Sequence, residues 1–249
     1  LKPGKYNADI LPDPISRIAS QSREGRTILA AEAVARRSHQ AIQQDHEDFF
    51  HLPRGKAISA AQAIGKVVRP YENKALDEWA KQEGKLFDRE EIVSKWIAQG
   101  ERGGLENRVF YDSNRDRWIK INTLAYHTNQ LEFLHRMAIH NYLFPEVVLR
   151  LEAYMWDDSA LLPIISQPHV THHGGLVSEE ESGAELEKMG GSWNSRENGY
   201  VFNDLGIVIT DTHDENVLRR QDGGLSFIDP DLRLLICRKG ERLLGIARG

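Results

Sequence analysis

Apolar positions in the first third of the chain recur with a helical period. Ile28, Ala31, Ala35, Ser38 and Ile42 follow one another at steps of three and four residues, with charges between them, and predict a helix from Arg26 to about Phe50. Leu52-Pro-Arg-Gly55 breaks it. Ala57 to Val68 predicts a second, alanine-rich helix that ends before Pro70. Glu72 to Glu83 predicts a third, with Leu76, Trp79 and Ala80 on one face, and Glu90 to Ile97 a fourth. Ahead of these, Leu1 to about Ser20 is polar, carries Pro3, Pro12 and Pro14, and reads as an extended arm. Nothing in this third demands chemistry, and its plain reading is a helical collar or docking segment.

The pattern changes at Gly100. A glycine-rich turn through Gly103 and Gly104 leads into Arg108–Asp112, a turn at 113–115, and Arg117–Ile121, which together predict a hairpin. Asn129 to Asn141 predicts a helix with Leu131, Leu134 and Ala138 in its apolar stripe, stopped by Phe144-Pro145. Val147–Met155 and Leu161–Ser166 predict two more strands, so residues 100–166 read as an α+β lobe with an antiparallel sheet. Gln167 to Val170 is a connector. Ser178 to Met189 is an acidic helix with Ser178 as N-cap and Gly190-Gly191 as terminator. Ser192–Asn203 reads as a connector or short strand pair. Ile207–Ile209 and Leu225–Ile228 are short apolar runs around a polar loop with an Asp-Gly-Gly turn, and Leu232–Cys237 is a last apolar segment.

Composition narrows the class. The 249 residues are 40% hydrophobic and 28% charged, enough for a core in one large or two small domains. A net charge of −5 gives no nucleic-acid or membrane footprint, and no apolar run approaches the roughly 18 residues needed to span a bilayer. The single cysteine, Cys237, excludes an internal disulfide framework and suits a reducing compartment. With no signal-peptide pattern at Leu1, the expectation is a cytoplasmic protein.

Three places carry candidate chemistry. Asp211, Asn216 and Asp229 stand at the ends of strand-like runs, and two acids with an amide carbonyl are hard oxygen ligands suited to Mg²⁺ on a polyphosphate. Gly103 and Gly104 either make a simple turn or let backbone N–H groups approach phosphate oxygens. Lys120 shares a strand face with Trp118 and is either a solvated edge residue or a phosphate contact, while Glu132 is either an exposed helix residue or the group that orients Lys120. His169, His172 and His173 invite a zinc reading, but no Glu or Cys stands at a zinc-motif spacing beside them.

Glycine turn, strand lysine, helix glutamate, connector, Asp-x-x-x-x-Asn and a later Ile-Asp: this order resembles the protein-kinase-like fold. Asp211-Thr-His-Asp-Glu-Asn216 looks like the catalytic loop of aminoglycoside-phosphotransferase-type kinases. The run from Glu72 to Asp229 is similar to the kinase domain of bacterial and phage polyvalent proteins. The likeness is carried by Asn73–Ala80, Gly103–Phe110, His140-Asn141-Tyr-Leu-Phe144-Pro145, Ser166-Gln-Pro168 and the Asp211 and Asp229 motifs. The helical first 70 residues lie outside the likeness, which implies a two-lobed kinase-like domain over 71–249, with an N-lobe at about 100–166. A hinge at 164–170, including Gln167, would face adenine, and a reduced C-lobe would cover about 171–249.

The resemblance also implies roles. ATP and Mg²⁺ would be the cofactors, with Gly103 and Gly104 over the phosphates, Lys120 on their charge and Glu132 as its partner. Asp211 would be the base, and Asn216 and Asp229 the metal ligands. Three departures stand out: Asp229-Pro230-Asp231 replaces Asp-Phe-Gly, only twenty residues follow Asp229, and the Lys120-to-Glu132 interval is short, with Glu106 a substitute for Glu132. The expected function is phosphoryl transfer to a protein Ser, Thr or Tyr of unknown identity. A small-molecule kinase and a pseudokinase that engages a partner are the alternatives.

Overall fold

The computed structural model describes residues 11–45, 57–95, 102–103, 105–127 and 129–235. The first element corrects the extended arm: α1 (Asp13–Ala19) is helical, with Pro14 in its first turn, where a missing N–H costs little, and Ile15 fully buried. Residues 1–10 of that arm lie outside the described residues. α2 (Arg23–Asp45) starts behind Ser22, whose Oγ accepts the Gly25 N–H at 2.9 Å. The first three positions of its expected stripe, Ile28, Ala31 and Ala35, are fully buried and Ser38 is half-buried. The end of that predicted helix, 46–50, and the Leu-Pro-Arg-Gly break lie outside the described residues.

The second and third predicted helices are one. α3 (Ala57–Gln82) runs through Pro70. An interior proline lacks one ladder N–H and costs about 3 kcal/mol, but propensity yields here to tertiary packing. Beyond Pro70 the stripe Glu72, Leu76 and Ala80 is fully buried, and this packing carries the helix on. A short strand β1 (Leu86–Phe87) and α4 (Arg89–Lys95) follow; residues 96–97 of the fourth predicted helix are outside the described set.

Next come β2 (Arg102–Gly103), β3 (Asn107–Asp112), β4 (Arg117–Asn122), α5 (Gln130–Leu143), a 3₁₀ turn at Pro145–Val147, β5 (Arg150–Asp157) and β6 (Ala160–Pro168). The six strands lie in the order β1-β5-β6-β4-β3-β2. All neighbours are antiparallel except β1, which pairs parallel with β5, so the expected antiparallel sheet carries a parallel edge. One face is dry: Phe110, Ile119, Ile121, Ala153, Met155, Leu162 and Ile164 form a cluster with Ile92 of α4. Strand alternation puts Tyr154 on the other face, where its ring meets Trp79 of α3 edge-on at 6.3 Å.

The rest is α6 (Glu179–Lys188), β7 (Ser192–Asn194), β8 (Gly199–Phe202), β9 (Ile207–Thr210), β10 (Val217–Arg219), β11 (Leu225–Phe227) and β12 (Asp231–Leu234). Of the two readings of Ser192–Asn203, the strand pair is the one that forms. The strands make a sheet ordered β12-β9-β8-β7 and a separate β10-β11 ribbon, with Val201, Val208 and Leu235 as a small core. β12 takes up part of the last apolar segment; Ile236 and Cys237 lie outside the described residues.

The chain divides into two compact units. One comprises Ala19–Ala138 and Leu149–His169; the other comprises Leu1–Ile18, Ile139–Val148 and Val170–Gly249. The described chain is thus mixed α and β, with helices and sheets in succession. The dry face of the larger sheet is testable. Ile119→Ala, at a site with no solvent exposure, is expected to lower the free energy of unfolding by about 2–5 kcal/mol, read from a urea midpoint.

Candidate active site

Two strand junctions bring Asp211, Asn216 and Asp229 together. At the first, Thr210 ends β9 opposite Asp231 at the start of β12, and Thr210 Oγ1 donates to Asp231 Oδ2 at 3.2 Å. At the second, Val217 opens β10 opposite Phe227 at the end of β11, and the Ile228 N–H donates to the Asn216 carbonyl at 2.8 Å. Asp211 therefore follows one junction, and Asn216 and Asp229 flank the other, so residues distant in sequence share one loop cluster.

Within it the side chains are fixed by hydrogen bonds. Asn216 Nδ2 donates to the Asp211 carbonyl at 2.9 Å and to Asp211 Oδ2 at 3.0 Å. His213 Nδ1 accepts the Glu215 N–H at 3.2 Å, which assigns the ring proton of the neutral imidazole to Nε2. Nε2 lies 3.2 Å from Asp211 Oδ1, so His213 holds the second oxygen of the same carboxylate. Asp211 itself sits at φ 59°, a left-handed conformation that costs a non-glycine residue on the order of 1 kcal/mol and recurs at functional sites. The carboxylate is exposed, and none of the Asn216 bonds uses its Oδ1.

The loop is buttressed from behind. His140 Nε2 lies 3.2 Å from the Phe227 carbonyl, and Phe144 stacks on the Phe227 ring with centroids 4.8 Å apart, two residues before Asp229. The His140-Asn-Tyr-Leu-Phe144 motif thus has a physical reason: it shapes the strand that delivers Asp229. On the other side, Ser182 Oγ of α6 donates to the Thr212 carbonyl at 3.1 Å. Arg219 of β10 pairs with Glu181 at 2.7 Å. Asp231 and Ser182 are supporting residues to which sequence reasoning gave no role, and His140 entered it only as part of the family motif. Asp-Pro-Asp hinted at Asp231, but no local pattern pointed to Ser182.

The candidates in the other unit sit as follows. Lys120 is not on a sheet edge: β4 is central, Lys120 pairs with Val109 and Ile165, and only 7% of it is exposed. It lies on the face opposite Ile119 and Ile121. Glu132 stands in the first turn of α5, half-buried, and its carboxylate accepts from Arg136 at 2.9 Å. Glu106 lies 3.3 Å from His127 Nε2, and Asn122 Nδ2 donates to it at 3.5 Å. Gly103 pairs with Arg108 at the β2–β3 turn, whereas Gly100 and Gly104 lie outside the described residues. Gln167 is buried in β6. The ladder to β5 stops at Ser166, while the ladder to β4 continues to Pro168.

Of the three histidines, His169 Nδ1 accepts from the Trp118 indole at 3.0 Å, and the His173 N–H donates to the Arg219 carbonyl at 2.9 Å. Among the described residues, no group of three or more His, Cys, Asp or Glu side chains is arranged to hold a metal. A divalent ion at the loop cluster would instead draw on one amide carbonyl, one carboxylate and phosphate oxygens, the donor set typical of Mg²⁺. Among the described residues, no helix is long and apolar enough to cross a membrane.

A family model described as Serine/Threonine/Tyrosine Kinase found in polyvalent proteins matches residues 70–235, and the chain belongs to that family. No curated protein and no solved structure gave a significant match.

The geometry at Glu106 makes a pH prediction. The His127 imidazole beside it holds the Glu106 carboxyl below the ordinary value of 4.5, against partial burial, with Arg136 and Asn122 adding to the effect. A depressed folded-state value means that the ionised carboxylate stabilises the fold above 4.5 and that this contribution is lost as pH falls through the depressed value. Glu106→Gln is therefore expected to lower Tm at pH 7 and to converge with the wild type in acid, measured by thermal melts across that range.

Proposed function

We propose that the chain is an ATP- and Mg²⁺-dependent phosphotransferase acting on a protein Ser, Thr or Tyr hydroxyl, with residues 71–249 as its kinase-like domain. The observation that carries this reading is the loop cluster, in which Asn216 is bonded to Asp211 and tied through Ile228 to the segment of Asp229. Family membership supports a kinase-type function.

In this reading Asp211 accepts the proton of the attacking hydroxyl. Asn216 Nδ2 and His213 Nε2 aim its two oxygens, which reduces the rotamer freedom lost on reaching the reactive geometry. Asn216 Oδ1 and the Asp229 carboxylate would hold Mg²⁺, which when bound neutralises charge on the transferring phosphates. Lys120 offsets α/β-phosphate charge, with Glu132 as its orienting partner, and the backbone at Gly103 and Gly104 covers the phosphates. The segment around Gln167 receives adenine by main-chain hydrogen bonds. Phosphoryl transfer asks little covalent chemistry of the protein, so positioning and electrostatics are the whole of its task.

The test is transfer of labelled phosphate from ATP·Mg²⁺ with and without a bacterial lysate. The wild-type chain is expected to label a protein band, and Asp229→Ala or Asp211→Asn to reduce labelling by about a hundredfold or more. Nucleotide-induced thermal stabilisation without transfer would point to a pseudokinase, and neither response would sink the nucleotide site. Unchanged transfer by Asp211→Asn would remove its assignment as base.

A further inference from the structure

The connection from the Lys120 strand to the Glu132 helix is gripped by one turn of α3. Arg69 donates to the carbonyls of Leu124, at 3.0 Å, and His127. Glu72 accepts the N–H groups of Gln130 at 3.0 Å and Leu131 at 3.1 Å, and so caps α5 from another helix. Asn73 Oδ1 accepts from Gln130 Nε2 at 3.2 Å. The gripped turn is strained: Leu124, a bulky buried residue, sits at φ 57°. Glu132 is the next residue after Leu131, and its own N–H is taken by Asn129 Oδ1 at 2.8 Å. The amides of Gln130, Leu131 and Glu132 at the start of this helix are thus each met by a specific side chain.

The grip reaches beyond the family-matched segment, which begins at residue 70. His39 of α2 places Nε2 2.6 Å from Glu72 Oε1, and Glu72 has no solvent exposure. Two turns earlier on the same face of α2, Glu32 lies 3.2 Å from His135 Nε2 of α5, with both side chains buried. A buried carboxylate needs all its partners, so α2 is bound to α3 and α5 by polar contacts with defined direction rather than by apolar packing alone.

We infer that Glu72 is a positioning residue for Glu132 and Lys120, and that α2, through His39, is an intramolecular part of the same device. The inference rests on the phosphotransferase reading of Lys120 and Glu132. An isolated family-matched segment would retain Glu72 but lack the imidazole that supplies its third contact, and would carry a looser α5.

The experiment uses the full chain, well below the onset of unfolding, and reads kcat and the KM for ATP separately. His39→Ala is expected to lower kcat by about ten- to a hundredfold with KM within about twofold, the pattern of a group that matters in the transition state. His39→Gln, whose amide can again donate to Glu72, is expected to recover most of that loss. Lys81→Ala, which removes an exposed pair on α3, is expected to leave both constants unchanged. Should His39→Ala unfold, Glu72→Gln keeps an oxygen for one of the two α5 amides, sets an NH2 against the other and removes the charge, and is expected to show at least the same kcat loss. A wild-type rate in these variants, an equal loss in Lys81→Ala, or no recovery in His39→Gln overturns the inference and leaves the phosphotransferase reading standing. A wild-type chain that transfers no phosphate overturns that reading, and the inference falls with it.

Discussion

A carboxylate with no solvent exposure has to be surrounded by donors, and Glu72 is. Each charged hydrogen bond to it contributes on the order of 1.5–3 kcal/mol net, and removing a donor would leave a buried charge short of partners. Its three donors come from α5 and α2, so meeting that need fixes the approach of three helices at once. α5 in turn packs Gln130 against β6, where Gln130 Nε2 donates to the Leu161 carbonyl at 2.6 Å. The sheet that carries Lys120 is therefore registered against its helices by polar bonds on one face and by the dry cluster with Ile92 on the other.

The loop cluster obeys a different rule. Asp211 and Asp229 are exposed, His213 and Asn216 partly so, and order comes from the backbone: two strand junctions, one left-handed aspartate, and a ring whose tautomer is set by a neighbouring amide. His213 holds one oxygen of Asp211 while Asn216 holds the other, an arrangement in which the carboxylate is oriented without being buried. In the proposed reading an exposed base would keep access to a substrate hydroxyl, and Asn216, with its amide nitrogen on Asp211, would turn its carbonyl to a hard cation.

Much of this was legible in the sequence where period and turn chemistry agree. The β3–β4 hairpin, α6 with its Ser178 cap, and the runs that become β9 and β11 follow from local pattern, whereas β10 lies in what reads as polar loop. Asp211, Asn216 and Asp229 were legible as candidates because their residue types and spacing suit one chemistry. Local rules failed where tertiary contacts decide. Pro70 reads as a stop, yet the buried stripe beyond it carries α3 through. Lys120 reads equally well as an edge lysine until the strand order makes β4 central. Glu72 carried a signal that periodicity alone does not weigh: a charge in register with Leu76 and Ala80 in an otherwise apolar stripe. The donors that justify it stand on other helices, at His39 and at the α5 amides, and no window of sequence contains them.

The claim that Asp211, Asn216 and Asp229 act as one metal-and-nucleotide cluster can be measured without turnover. Mn²⁺ added with a non-hydrolysable ATP analogue to isotope-labelled protein broadens the NMR signals of nuclei near the ion. The account predicts that the resonances of 211–216 and 229–231 broaden together, and only when nucleotide is present. Broadening centred on His169, His172 and His173, or none near Asn216 and Asp229, would contradict it.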